Sequence, residues 1–204
     1  MSSENNPACR LQGRGLVIRR GRRVVCAVEH LGIQSGQVVW LRGRNGVGKS
    51  SVMRALAGLL PLAQGEVVGH GPRPVYLGHQ NALHDDLTVL ENLRFLATLA
   101  THKITAERVN DALAYWQLEP YAHQTVRRLS QGLKRRTALA RLAFAGGAVC
   151  WLLDEPYDAL DQGASVLLGR CVAGHAASGG AVLMSSHSTP EGLSNAPTEF
   201  WLRA

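Results

Sequence analysis

Gly43-Arg44-Asn45-Gly46-Val47-Gly48-Lys49-Ser50 fills every fixed position of G-x-x-x-x-G-K-[ST]. Each residue type has a chemical reason. Glycines let the backbone curl until successive N–H groups point inward at phosphate oxygens. Lys49 brings a mobile cation to the β- and γ-phosphates, and the Ser50 hydroxyl can ligate Mg²⁺. A helix starting here adds the partial positive charge of its N-terminus.

The flanks fit such a loop. Gln37-Val38-Val39-Trp40-Leu41 is an apolar run suited to a buried parallel strand. Ser51-Val52-Met53-Arg54-Ala55-Leu56-Ala57-Gly58-Leu59-Leu60 carries apolar residues at helical spacing, and Pro61 is expected to stop that helix. A glycine-rich turn without function is the bland alternative. Chance produces the bare pattern in roughly one chain in a hundred of this length, and the strand-loop-helix order lowers that further.

The 204 residues predict one domain with a sizeable core. Hydrophobic content of 46% with 18% charged residues is usual for a globular protein. No apolar stretch reaches the length of a membrane span, and Ser2-Ser3-Glu4-Asn5-Asn6-Pro7 lacks the apolar core of a signal peptide. The expected location is the cytosol, with any membrane role supplied by a partner.

The net charge is +7. Arginines 10, 14, 19, 20, 22, 23, 42 and 44 crowd the first part of the chain; Arg127, Arg128, Lys134, Arg135 and Arg136 form a second cluster. A solvated basic face stands beside three sharper readings: attraction of a triphosphate, nearness to anionic lipid, or nucleic-acid binding. No aromatic stripe interleaves the arginines, which disfavours single-strand stacking. Cys9, Cys26, Cys150 and Cys171 have no C-x-x-C spacing, so reduced thiols are the expectation. The eight histidines form no H-E-x-x-H set.

Alternation over 16–28 suggests strands at a sheet edge. Glu66-Val67-Val68 and Val75-Tyr76-Leu77 read as short strands around a turn at Gly69-His70-Gly71-Pro72. A helical stretch follows. Thr88-Val89-Leu90-Glu91 fits a capping box, with Leu90, Leu93, Leu96, Ala97 and Ala100 as its apolar stripe. Ile104 before Thr105 and Val109 beyond it fit a hydrophobic staple on a second helix, whose apolar side is Val109, Ala112, Leu113 and Trp116. A third helix opens near Ser130 and Gly132 and runs to about Ala145. Strands return at Ala148-Val149-Cys150-Trp151-Leu152-Leu153 and at Ala181-Val182-Leu183-Met184, with a helix between them. The domain reading is an α/β core over about 8–85 and 146–204, interrupted by a helical insertion over about 86–145.

Asp154 and Glu155 directly follow the first of those late strands. A buried strand would deliver both carboxylates to the open edge of the sheet where the glycine loop also ends. Asp154 can hold Mg²⁺ through water, and Glu155 can act on an attacking water as general base. An acidic strand end turning at Pro156 is the competing reading. His187, reached through Ser185 and Ser186, can sense a γ-phosphate, although a lone histidine after a strand is most often a surface residue. Gln80 can contact Mg²⁺ or the lytic water, or be an ordinary polar loop residue. In Leu129-Ser130-Gln131-Gly132-Leu133-Lys134-Arg135-Arg136, Ser130 is a natural N-cap and Gly132 permits close backbone approach. Such a helix start beside cations is also an anion site.

Taken in order, these motifs resemble the ATP-binding cassette (ABC) family: Walker A at 43–50, Q-loop Gln80, signature Leu129-Ser130-Gln131-Gly132, Walker B ending in Asp154-Glu155, D-loop Ala159-Leu160-Asp161 and switch His187. The resemblance covers nearly the whole chain. It implies a P-loop NTPase fold of the ABC type, with a RecA-like core and a helical subdomain, and ATP hydrolysis coupled to membrane subunits. It implies ATP and Mg²⁺ as ligands, bound between two head-to-tail copies. The implied nucleotide contacts are Gly43, Arg44, Asn45, Gly46, Val47, Gly48, Lys49, Ser50 and Ser51, together with Ser130, Gly132 and Asp161. The implied metal contacts are Ser50, Gln80 and Asp154, and the catalytic set is Glu155, His187 and Gln80. Segment 19–25 holds arginines where the family usually has an adenine-stacking aromatic, so guanidinium stacking is the expected substitute. Leu133 stands where the signature usually ends in glutamine, and 65–80 is shorter than usual.

Tyr76-Leu77-Gly78-His79-Gln80 and Leu87-Thr88-Val89-Leu90-Glu91-Asn92-Leu93-Arg94-Phe95 are similar more narrowly to the CcmA family of cytochrome c maturation. That resemblance implies membrane subunits CcmB and CcmC, with CcmD and the haem chaperone CcmE indirectly, a homodimer, and a peripheral place on the cytoplasmic side of the inner membrane. It implies no nucleic-acid partner and no haem bound to this subunit. Two other classes compete. A soluble ABC ATPase acting on nucleic acid, ribosomes or another cargo usually carries tandem cassettes or extra domains, which are absent here. A P-loop GTPase needs an N-K-x-D motif, which is also absent.

Overall fold

The apolar runs beside the glycine loop become the middle of a parallel sheet in the computed structural model, which describes residues 10–99, 105–147 and 149–203. Cys9, Ala100, Ile104 and Ala148 lie outside the described residues. In chain order the elements are β1 (Arg10–Arg20), β2 (Arg23–Ile33), β3 (Val38–Arg42), α1 (Lys49–Leu56), β4 (Gln64–His70), β5 (Val75–Leu77), α2 (Val89–Leu99), α3 (Ala106–Tyr115), α4 (Gln131–Ala140), β6 (Cys150–Leu153), α5 (Gln162–Ala177), β7 (Ala181–Ser185) and β8 (Thr198–Trp201). Short 3₁₀ turns occupy Glu119–Tyr121, Val126–Arg128 and Arg141–Phe144.

The five-stranded sheet has the order β5-β6-β7-β3-β8, and every neighbouring pair is parallel. Its central strands are apolar on both faces because both faces are covered. Successive side chains point to opposite faces. Leu77, Trp151, Leu153, Val182 and Met184 pack with residues of α2 to α5 on one face. Cys150, Leu152, Ala181 and Leu183 pack with α1 and the antiparallel strands on the other.

A second, antiparallel sheet has the order β2-β1-β4. The expectation of edge strands over 16–28 holds for β2, which forms one edge of this sheet, and needs correction for β1, which is the central strand between β2 and β4. Leu16, Ile18, Cys26 and Val28 alternate inward and are buried. The arginines between them point outward and weaken the apolar pattern in the sequence.

The helices show what starts and stops them. Thr88 and Glu91 form the predicted capping box: Thr88 N–H donates to Glu91 Oε2 at 2.8 Å, and Glu91 N–H donates to Thr88 Oγ1 at 3.2 Å. On α2 the buried residues are Val89, Asn92, Leu93 and Ala97, while Leu90 and Leu96 are only half-buried. Val109, Ala112, Leu113 and Trp116 are buried on α3 as expected. Helix α1 ends earlier than Pro61. Gly58 takes a left-handed φ of 71°, Leu59 N–H donates to Arg54 O, and Gly58 N–H donates to Ala55 O. That pair of bonds is a Schellman motif, and glycine carries it without strain. Helix α4 likewise ends at Ala140 rather than Ala145, its chain tightening into a 3₁₀ turn over Arg141–Phe144.

Candidate nucleotide and metal site

The carboxyl ends of β3, β6 and β7 open on the same edge of the sheet, where parallel α/β sheets bind ligands. Strand β3 leads into the glycine loop and α1. Gly48 has φ 109°, and a Cβ there would stand 2.9 Å from Cys26 Sγ, so only glycine fits without displacing β2. Lys49 is 9% exposed. Its Nζ donates to the Gly43 carbonyl at 2.9 Å, which folds the cation over the loop.

Strand β6 ends at Asp154, 2% exposed. Ser185 at the end of β7 donates from Oγ to Asp154 Oδ1 at 2.9 Å and accepts the Glu155 N–H at 2.9 Å. Tyr76 on β5 donates from its hydroxyl to Asp154 Oδ2 at 3.3 Å. Glu155 has a left-handed φ of 48°. A carboxylate residue tolerates that conformation poorly, so the surroundings must impose it. They do: beside the Ser185 bond, the buried Arg135 guanidinium of α4 donates to the carbonyls of Asp154 (3.1 Å), Glu155 (2.7 Å) and Pro156 (3.3 Å). The same guanidinium donates to Gly78 O and Asn81 Oδ1. Glu155 Oε1 lies 3.4 Å from His187 Nε2. Burial pushes the Glu155 carboxyl above its ordinary pKa, and His187 pulls it partly back.

One cleft of about 790 Å³ gathers Asn45, Gly46, Gly48, Lys49, Ser50, Ser51, Asp154, Glu155 and His187. Arg19, Arg20 and Arg54 also line it. Gly43, Arg44 and Val47 shape the loop from outside that lining. Four further sequence-predicted residues are not brought in. Gln80 is exposed and outside the lining, while its neighbour His79 is inside it. Ser130 caps α4, accepting the Leu133 N–H at 3.2 Å. Gly132 packs against the Ala159 carbonyl, 2.9 Å from where its Cβ would be. Asp161 caps α5 through the Ala164 N–H and pairs with Arg136.

Sequence reasoning missed four contributors. Arg135 belongs to the second basic cluster, for which a solvated face was one of several readings, yet it is 3% exposed. Ser185 was read only as a spacer before His187. Tyr76 stands in the sequence as a strand residue and within the CcmA-like stretch 76–80, with no role beside Asp154. Trp40 donates its indole N–H to Ser186 O at 3.1 Å and so braces the loop that carries His187. Periodicity offers no signal for Arg135, because an arginine on a helix looks the same in sequence whether it faces solvent or a neighbouring loop.

A family model described as ABC transporter matches residues 29–158. The chain belongs to the ABC transporter family. It is 38% identical over 203 residues to the cytochrome c biogenesis ATP-binding export protein CcmA of Cupriavidus necator, covering 92% of this chain and 88% of that one. The protein of the same name from Nitrobacter winogradskyi is 40% identical over 192 residues, covering 90% and 94%. Two solved structures share the fold. One is the ATP-binding subunit of an ABC transporter, with TM-score 0.83 and 21% identity over 95% of this chain and 85% of that one. The other is an ABC transporter ATP-binding protein from Pyrococcus furiosus, with TM-score 0.79 and 23% identity over 95% and 97%. At 35–40% identity over most of its length, this cassette falls among the CcmA-type members. No helix among the described residues is long and apolar enough to cross a membrane.

Proposed function

We propose that this cassette is the ATP-hydrolysing subunit of a membrane ABC complex for cytochrome c maturation, coupling hydrolysis to haem transfer or to release of the haem-loaded chaperone CcmE. The observation that carries the reading is the convergence of Lys49, Ser50, Asp154, Glu155 and His187 on one cleft. The names of the relatives support the pathway.

The donor set fits Mg-ATP. The loop presents backbone N–H groups and one ammonium to phosphate oxygens. Ser50 and Asp154 supply the hard oxygen donors that suit Mg²⁺, and their carboxylate and hydroxyl lie in the same cleft. Held by Ser50 and Asp154, Mg²⁺ would supply positive charge to the phosphate oxygens. Lys49 exchanges the Gly43 carbonyl for a phosphate oxygen. Glu155, aimed by its imposed backbone, takes the proton of the attacking water at its carboxylate. His187 donates a hydrogen bond toward the terminal phosphate. Arg19 and Arg20 stack on the base.

Ser130, Gly132 and Asp161 lie outside their own chain's cleft, so they serve the site of a second, head-to-tail copy. Gln80 joins the metal only with a shift of its loop. The chain divides into a core over about 8–85 and 146–204 and a helical subdomain over about 86–145. The homodimer docks peripherally on the cytoplasmic side of the inner membrane against CcmB and CcmC, with CcmD and CcmE reached through them.

The test is recovery of the tagged chain from detergent-extracted membranes. CcmB and CcmC should accompany it, and the complex should hydrolyse ATP unless Lys49→Ala is introduced. Recovery with nucleic acid or ribosomes and without those subunits would favour the soluble class. Undiminished turnover by Lys49→Ala would reject the cleft as the ATP site.

A further inference from the structure

Both oxygens of the Asp154 carboxylate are engaged by neutral hydroxyls, and each hydroxyl is oriented by an N–H. Ser185 Oγ accepts the Glu155 N–H, which commits its own proton to Asp154 Oδ1. On the other side, Arg54 Nε of α1 lies 3.4 Å from the Tyr76 hydroxyl, which lies 3.3 Å from Asp154 Oδ2. A guanidinium has only donors. The phenol oxygen therefore accepts from Arg54, and its single proton is left for Asp154. Strand register places Tyr76 opposite Leu152, two residues before Asp154, so the ring reaches along the sheet edge to the end of the neighbouring strand.

We infer that Tyr76, oriented by Arg54, is a positioning residue that fixes the plane of the Asp154 carboxylate for a divalent cation. A carboxylate held on one oxygen alone can rotate about its Cβ–Cγ bond, whereas one held on both cannot. With Asp154 so fixed, the lone pairs left free on its oxygens keep one direction before any metal arrives, and the ordering cost of metal binding falls. The competing explanation is packing, since the Tyr76 ring also contacts the core formed by β3, α1 and β6. Phenylalanine would pack equally well and would leave in place the Tyr76 carbonyl that accepts from Arg141. Tyr76→Phe therefore separates the two roles.

The inference rests on the cleft being a Mg-ATP site. Binding of a fluorescent ATP analogue to the full chain is titrated against Mg²⁺ and, separately, in EDTA. Tyr76→Phe should leave metal-free affinity within about twofold of wild type and raise the half-saturating Mg²⁺ concentration about tenfold, the scale of one hydrogen bond to a charged acceptor. Mn²⁺ retained with a non-hydrolysable ATP analogue, read by electron paramagnetic resonance, should fall in parallel. An unchanged Mg²⁺ requirement would overturn the inference. So would equal weakening with and without metal, which marks a packing role. Absence of nucleotide binding by the wild-type chain would instead reject the Mg-ATP site itself, and the inference with it.

Discussion

Glu155 combines a left-handed backbone with a carboxyl whose pKa is raised chiefly by burial. A base must be deprotonated to act, so the raised value moves the acid limb of turnover above the ordinary carboxylate range near 4.5. Turnover should rise with pH across that window and then level. His187 lowers the Glu155 value, so His187→Ala should shift the limb of its residual activity to higher pH. A limb at or below pH 4.5, or one that moves down in His187→Ala, would remove Glu155 from the titrating step. The pH profile of steady-state ATPase rate is the measurement. At this scale the sequence was legible where chemistry is local. Residues 43–50, Asp154 and Glu155 stand where their spacing placed them. It was illegible where a side chain acts across the fold, as Ser185 does on both Asp154 and Glu155.

Helix α4 joins two functions that look separate in sequence. Its N-terminus carries Ser130 and Gly132, while Arg135, just over one turn on, grips the loop after β6 and the loop after β5. Arg135 thereby ties this helix to the Glu155 backbone. Replacing Arg135 with Met leaves four buried or half-buried carbonyls, those of Gly78, Asp154, Glu155 and Pro156, and the nearby carboxylates without their cation. Loss of one partner from such a buried charge network costs about 3–5 kcal/mol. At about 2–4 °C per kcal/mol for a chain of this size, the thermal midpoint should fall by roughly 6–20 °C. A fall under about 2 °C would mean that water replaces the guanidinium. The elements themselves were read unevenly. The apolar runs of β6 and β7 and the Thr88–Glu91 cap were plain. Strand β8 was not, because Thr198, Glu199 and Trp201 of its four residues are exposed and no alternation marks them. Arg135 hid in the run Lys134-Arg135-Arg136, where composition suggests a wet face.

Across the whole molecule, the two halves of the expected ATP site do not meet within one chain. The cleft holds the loop, Asp154, Glu155 and His187, while Ser130, Gly132 and Asp161 are turned to other neighbours. In the proposed head-to-tail dimer a second copy completes the site; motif order was then readable while the site's full geometry was not, because half of that geometry would belong to an interface. The basic balance of +7 suits a chain that gathers a triphosphate and, in the proposed complex, sits beside an anionic membrane surface. In the proposed function Glu155 performs hydrolysis on Mg-ATP held by the rest of the cleft. Its most direct test compares Glu155→Gln with wild type in the membrane complex, measuring bound nucleotide and phosphate release on the same samples. Retained Mg-ATP with phosphate release slowed by about 10²–10⁴-fold is the predicted result. Phosphate release at the wild-type rate, with nucleotide bound as before, would contradict it.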